Sequence, residues 1–290
     1  MNDGELERAL DTALRFVESE RNGLAPSELA EAADAVRSAV RRLPGPSIDL
    51  VALPARSSLV LRVATPSGPV VVKVPLIPGH RSLEVAALGA WGPAGLTPRL
   101  LSGARDLAVT TSWLPGVPLY AAPPAAEAAW TALTADWYTR CHRALPVPAH
   151  FDAGTAVGEW RSWLDGHHEL TVAHADSAAR ALRELCCGLP TVVTHADPNR
   201  GNFLYDHVAG SVCAVDPLPA ALPVEVVVAR AALQLRPDDP ASFVGAAALV
   251  LPLDRSVVDD ALTALAIFTL DWADDRAVRE LAARFASSHP

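Results

Sequence analysis

THADPNRGNFLYD, residues Thr194 to Asp206, places a His, an Asp and two of the chain's four Asn between His195 and Asn202. The β-branched residues "TVVT" (Thr191 to Thr194) lead into the run, which ends in "NFLYD". Between them, Pro198 and Gly201 break any regular element, so the stretch reads as strand, loop, short strand. Downstream, "SVCAVDPLP" (Ser211 to Pro219) supplies a second strand that ends in Asp216. The hairpin therefore carries Asp197 and Asn202 at one end with Asp216 close by.

A second signal lies far upstream. Of 24 basic side chains in 290 residues, 23 are Arg and one is Lys, at position 73. Where Arg serves for every generic cation, a single ammonium marks a place for a compact point charge rather than a planar fork. Lys73 sits in "GPVVVKVPL" (Gly68 to Leu76), the second strand of a hairpin whose first strand is "LVLRVAT" and whose turn is Pro-Ser-Gly. "IDLVAL" (Ile48 to Leu53) reads as a preceding strand, so three antiparallel strands follow one another. After them, "HRSLEVAALGAW" (His80 to Trp91) has helical period with Glu84 near its first turn.

The residue types in this order, Lys73, Glu84, Asp197, Asn202, Asp216, are those that phosphoryl transfer requires. A carboxylate orients the attacking hydroxyl and takes its proton, an amide oxygen and a second carboxylate hold magnesium, and a cation grips the α/β-phosphates. The spacings, five residues from Asp197 to Asn202 and fourteen more to Asp216, fit such a site.

On these residues the chain resembles the aminoglycoside phosphotransferase family, relatives of the protein kinases, with particular likeness to the streptomycin and hydroxyurea kinase branch. His195-Ala196-Asp197 through Asn202 is similar to the family's H-G-D-x-x-x-x-N loop, "AVDPLP" to its metal-binding segment, and "VVVKVPL" with "SLEVAALGAW" to its lysine strand and glutamate helix. "LAVTTSWLPGVPL" (Leu107 to Leu119) resembles the segment that joins the lobes and lines the adenine pocket, which brings in Ser112 and Trp113. The likeness runs over about residues 48 to 235. It implies an α+β, protein-kinase-like fold: a small antiparallel-sheet lobe with one helix, a larger mainly helical lobe, and a nucleotide cleft. It also implies roles. Asp197 is the catalytic base, Asn202 and Asp216 are magnesium ligands, Lys73 is the phosphate grip and Glu84 its orienting partner. His195 buttresses the loop, Ser57 and Ser58 fall in the nucleotide-positioning loop, and Arg200 is a candidate charge stabiliser. The cofactors expected are ATP or GTP with Mg2+.

Two departures stand out. Ala196 replaces the family's glycine, and with no Arg before Asp197 there is no sign of control by an activation loop. The acid that supports the catalytic loop in relatives is absent from "AALPVEVVVARAAL", where Glu225 is the nearest substitute.

The expected organisation is a helical hairpin over 1–47, a nucleotide-binding sheet over 48–113 and a helical lobe over 114–290. In the hairpin, Leu6, Leu10, Ala13 and Val17 form one stripe, and Ser27 is a candidate cap for a second helix carrying Ala33, Val36 and Val40. Helices are expected at roughly 124–145, 157–187, 224–235, 240–250, 256–272 and 275–287.

Composition narrows the function. Half of the chain is hydrophobic and its net charge is −9, which fits a globular chain and argues against nucleic acid as a partner. No membrane-length apolar run or cleavable apolar leader is present, so a cytoplasmic protein is expected. Cys141, Cys186, Cys187 and Cys213 lack metal-ligand or disulfide-framework spacing. The acceptor is expected to be a hydroxyl on a small molecule, such as an antibiotic or related natural product. The alternatives are a Ser/Thr kinase of ribosomal-peptide biosynthesis working with a partner lyase, and a non-catalytic binding module. Asp165, Glu169, Asp238, Asp239, Asp271, Asp274 and Asp275 are candidates for binding an amine-bearing acceptor, with Asp271 and Trp272 foremost.

Overall fold

The computed structural model describes residues 3–20, 24–44, 49–55, 57–77, 79–103, 107–164, 168–270, 273 and 275–289. Two compact units make up the chain, Met1–Pro115 and Gly116–Pro290.

The first unit opens with helices α1 (Asp3–Glu20) and α2 (Pro26–Arg41). A five-stranded antiparallel sheet follows, built from β1 (Asp49–Ala52), β2 (Ser58–Thr65), β3 (Gly68–Pro75), β4 (Leu100–Ser102) and β5 (Val109–Ser112) in the order β1-β2-β3-β5-β4. Helix α3 (His80–Trp91) connects β3 to β4. The β2–β3 hairpin pairs eight residues without a slip, from Ser58 opposite Pro75 to Thr65 opposite Gly68.

Because side chains alternate along a strand, that register divides the hairpin into two faces. Leu59, Leu61, Val63, Val72 and Val74 point to one face and are buried in a single cluster with Leu6, Leu10 and Val17 of α1 and Ala33, Val36 and Val40 of α2. The stripes on both helices are thus spent on covering the sheet. Lys73, opposite Val60 on β2 and Val109 on β5, takes the other face. Helix α2 starts two residues earlier than a cap at Ser27 implies, with Ala25 at the cap position. Pro26 occupies its first position and the Glu28 carboxylate accepts from the Ala25 N–H at 2.9 Å, so Ser27 lies inside the first turn.

The second unit begins with β6 (Val117–Pro118), then α4 (Glu127–Arg143), α5 (Ala153–Ser162) and α6 (Glu169–Cys187). Next come β7 (Val192–His195), β8 (Phe203–Asp206), β9 (Ser211–Ala214) and β10 (Pro219–Leu222). Helices α7 (Val224–Leu235), α8 (Pro240–Ala248), α9 (Arg255–Thr269) and α10 (Arg276–Ser288) complete it. Its strands form two small antiparallel sheets, β6-β8-β9 and β10-β7. Trp137 of α4 packs edge-on against Phe203 at 5.3 Å and Tyr138 at 5.2 Å, anchoring these strands to the helices. Every residue from Val226 to Leu233 on α7 is buried, so this helix is the centre of the unit.

Two expected elements divide. The helix expected over 157–187 is α5 and α6: the Asp152 carboxylate caps α5 by accepting from the Thr155 N–H at 2.7 Å, and His168 caps α6 by accepting from Leu170 N–H at 3.2 Å. The segment Leu107 to Leu119, expected as a strand that ends at Pro115-Gly116, divides there as expected: β5 lies before the turn and β6 after it, in different sheets. Among the described residues no helix is long and apolar enough to cross a membrane.

Gly116 makes the second division possible. Its φ is +120°, and a Cβ there would lie 2.8 Å from the Tyr205 carbonyl oxygen. Gly116→Ala is therefore expected to cost about 2 kcal/mol or more, from backbone strain together with that clash. Urea unfolding of the variant against wild type measures it.

Candidate active site

In the first unit the Lys73 ammonium donates to Glu84 Oε1 at 2.9 Å, with both residues buried. The strand–helix order brings them together: β3 delivers Lys73 on the face away from α1 and α2, and the first turns of α3 deliver Glu84. The other expected nucleotide-binding residues of this unit are placed differently. Ser58 is buried at the start of β2, while Ser57 is half-buried and its carbonyl accepts from Leu76 N–H at 2.8 Å. Ser112 Oγ accepts from Arg99 N–H at 3.0 Å. The Arg62 guanidinium lies 5.1 Å from the Trp113 ring centre, and the Trp113 N–H donates to Pro69. The structure brings Lys73 and Glu84 into contact and engages the Ser112 hydroxyl within its own sheet.

In the second unit the loop from His195 to Asn202 is held by its backbone from several directions. β7 pairs with β10 so that His195 is opposite Pro219. Leu218 then grips the next residues from both sides: its N–H donates to His195 Nδ1 at 3.1 Å and its carbonyl accepts from Ala196 N–H at 2.8 Å. With Nδ1 accepting, the His195 ring carries its proton on Nε2. The ring is fully buried beside Phe203 and Trp137. The Ala196 carbonyl takes two donors, Trp160 Nε1–H at 3.2 Å and Arg230 Nε–H at 3.3 Å.

Beyond this clamp, Asp197 Oδ2 accepts from the Asn199 side-chain amide at 3.0 Å and from that of Asn202 at 2.9 Å. The Asn202 amide also donates to the Asp197 carbonyl at 3.0 Å. Since its NH2 is turned to Asp197, the Asn202 side-chain oxygen is the atom left to ligate. Asn199 Oδ1 accepts from the backbone N–H groups of Gly201 and Asn202 at 2.9 and 3.1 Å, which closes the loop on itself. The β8–β9 ladder then continues one step further, with Val215 N–H donating to Asn202 O at 2.9 Å, and so sets Asp216 beside Asn202.

The electrostatics follow from this crowding. Burial pushes the Asp197 carboxyl above the ordinary carboxylate range; Arg230 pulls it back, Asp216 pushes it further, and the two amides steady its charged form. Burial draws the Arg230 guanidinium down to about 10, against the pull of Asp197. Hard oxygen donors from Asn202 and Asp216 suit magnesium, an ion that completes its shell with water and phosphate. Among the described residues no group of three His, Cys, Asp or Glu side chains could hold a metal by itself.

Three sequence expectations need restating. Arg200 is turned away from the loop's chemistry: its Nε donates to the Leu235 carbonyl at 2.7 Å, Asp238 lies 3.6 Å from its Nη2, and its guanidinium sits 5.9 Å from the Trp130 ring centre. Glu225 does not support the loop, because its carboxylate accepts from Asp254 N–H at 3.3 Å at the far end of α7. The supporting side chain from α7 is Arg230. Its signal was a lone cation inside an otherwise apolar run, VVVARAAL, and the signal for Asn199 was the scarcity of Asn elsewhere. Of the acidic candidates, Asp238 and Asp239 are bound up with Arg236, and Asp239 also caps α8. Glu169 and Asp275 sit at the starts of α6 and α10, and Asp165, Asp271, Trp272 and Asp274 lie outside the described residues.

No protein-family model and no curated protein matches the chain. Solved structures do. A choline/ethanolamine kinase family protein from Mesorhizobium loti overlays with a TM-score of 0.60 at 18% identity, covering 88% of this chain and 93% of its own. The choline kinase LicA from Streptococcus pneumoniae gives 0.59 at 14% identity over 86% and 98%. The chain has the fold of the choline and aminoglycoside kinases. An aminoglycoside phosphotransferase from Streptomyces rimosus, solved with ADP and streptomycin, gives 0.54 at 21% identity over 82% and 98%. That fold is two-lobed and kinase-like, with the antiparallel sheet in the N-terminal unit and the helices concentrated in the C-terminal one.

The Lys73–Glu84 pair yields a direct test. Glu84→Gln removes the charge facing a buried ammonium and is expected to destabilise the chain by about 3 kcal/mol. Glu84→Gln with Lys73→Met is expected to recover much of that loss, as measured by denaturant melts of the two single variants and the double.

Proposed function

We propose that this chain is an ATP-dependent phosphotransferase acting on the hydroxyl of a small amino alcohol. The observation that carries the reading is the pinning of Asp197. Two amides occupy Oδ2, while Oδ1 accepts no hydrogen bond from the described residues and is the oxygen available to an incoming hydroxyl. That asymmetry is what a base needs: one oxygen fixes the orientation and the other takes the proton.

In this reading Asp197 Oδ1 orients the acceptor hydroxyl and accepts its proton as the γ-phosphoryl group moves to the acceptor oxygen. Asn202 and Asp216 hold magnesium through oxygen, and Lys73, oriented by Glu84, grips the α/β-phosphates. Magnesium held there would supply charge that neutralises the triphosphate. The fold's relatives point to the acceptor class, since choline, ethanolamine and streptomycin are all hydroxyl compounds bearing cationic nitrogen, and a chain of net charge −9 attracts such cations. An antibiotic or related natural product that bears amines, as aminoglycosides do, belongs to the same chemical class.

A screen with labelled ATP and Mg2+ tests the reading across choline, ethanolamine, streptomycin, other aminoglycosides and Ser/Thr peptides, with GTP in parallel. Transfer to an amino alcohol is expected, together with loss of at least about a hundredfold in kcat for Asp197→Asn while nucleotide affinity is retained. Equal turnover by Asp197→Asn rules out the base, and transfer to peptides alone replaces the acceptor class.

A further inference from the structure

Arg230 is an anomaly in its own helix. It is 2% exposed, at the middle of a run of buried Val, Ala and Leu. Its Nε makes one bond, at 3.3 Å to the Ala196 carbonyl, its Nη2 is buried with no hydrogen-bond partner, and its guanidinium stacks 4.5 Å from the Trp160 ring centre. Among the described residues no carboxylate lies within ion-pair distance of it. A guanidinium held this way is costly, because its lost hydration is offset by one long hydrogen bond and a ring face and, among the described residues, by no ion pair. Such a residue contributes little to folding, so its effect must be sought where its charge and its bond are directed.

Both are directed at one place. The bond goes to the residue preceding Asp197, onto the same carbonyl that Trp160 holds from α5. The charge acts on Asp197, which otherwise faces Asp216 from the end of β9, Tyr138 from α4, and the neutral amides of Asn199 and Asn202. Helix α7 meets the loop a second time, where the Leu235 carbonyl accepts from Arg200. Positions on either side of Asp197 are therefore tied to one rigid, buried helix.

We propose that Arg230 is a positioning residue for the phosphoryl-transfer reaction: α7 splints the catalytic loop from both sides of Asp197, and the guanidinium is retained, at a cost in stability, to fix the Ala196 carbonyl and to balance the Asp197–Asp216 charge. The proposal rests on the reading of Asp197 as the base. It assigns Trp160 a supporting part, since the indole both shares the carbonyl and carries the guanidinium on its face.

The test compares wild type, Arg230→Met, Arg230→Lys, Asp197→Asn and the double variant Asp197→Asn with Arg230→Met. Arg230→Met is expected to melt no lower than wild type yet to lose about tenfold to a hundredfold in kcat, the scale of a small misplacement of a catalytic group, with KM for nucleotide and acceptor within about twofold. Arg230→Lys, which restores the charge, is expected to recover most of that kcat. Wild-type kcat in Arg230→Met overturns the proposal, as does an Arg230→Met that fails to fold or melts well below wild type, because Arg230 would then hold the fold rather than the loop. The melts stand apart from turnover. Asp197→Asn is expected to lower the melting temperature in the wild-type background but not in Arg230→Met, and equal effects in both backgrounds refute the charge pairing. If wild type phosphorylates nothing while the melts still couple, the reaction is misread and the pairing survives.

Discussion

One peptide carbonyl, that of Ala196, governs the geometry of the second unit. It is held by an indole from α5 and a guanidinium from α7, and the same residue's N–H is held by Leu218. With donor and acceptor both bonded, the peptide groups on each side of Ala196 Cα are held by partners from other elements. The strand pairing of β7 with β10, the capture of His195 by Leu218 and the packing of Trp137 on Phe203 all serve to keep that carbonyl where α5 and α7 can reach it. Loops are ordinarily the soft parts of a fold; this one is bonded to helices α5 and α7 and to the segment that joins β9 to β10.

Past the clamp the control passes from backbone to amides. Asn199 turns its oxygen to the loop's own N–H groups and its nitrogen to Asp197, while Asn202 gives both of its donor contacts to residue 197. Neutral donors steady a carboxylate without bringing a competing charge into a region that already contains Asp216. Ala196 in place of a glycine is tolerated for a related reason. Among the described residues no non-glycine position has a positive φ, so the loop achieves its shape through hydrogen bonds rather than backbone strain.

The parts of this architecture that were legible in the sequence are those in which one short element positions one side chain. The β2–β3 hairpin has β-branched strands and a Pro-Ser-Gly turn, so the strand bearing Lys73 followed at once, and the helical period after it placed Glu84. Asp197, Asn202 and Asp216 were legible for the same reason, because a strand–loop–hairpin fixes their neighbourhood locally. The features that were not legible depend on tertiary partners. "PAAL" has no strand propensity, yet Pro219–Leu222 is β10 because β7 offers it a ladder. Glu225 and Arg230 stand on the same helix, and periodicity alone does not tell which one faces the loop; packing of α7 against its neighbours decides it. The starts of α5 and α6 depend on caps from Asp152 and His168, whose readings as caps require knowing where the chain turns.

The solitary lysine carries a further consequence for how this chain can be handled and controlled. Acetylation, ubiquitin attachment and acylating labels all seek an ε-amine, and the one this protein possesses is 7% exposed and engaged with Glu84. Its surface, cationic only through arginine, offers such chemistry no side-chain foothold. An amine-directed reagent that does attach at an ε-amine therefore reports on a single atom, Lys73 Nζ, and on whatever shields it.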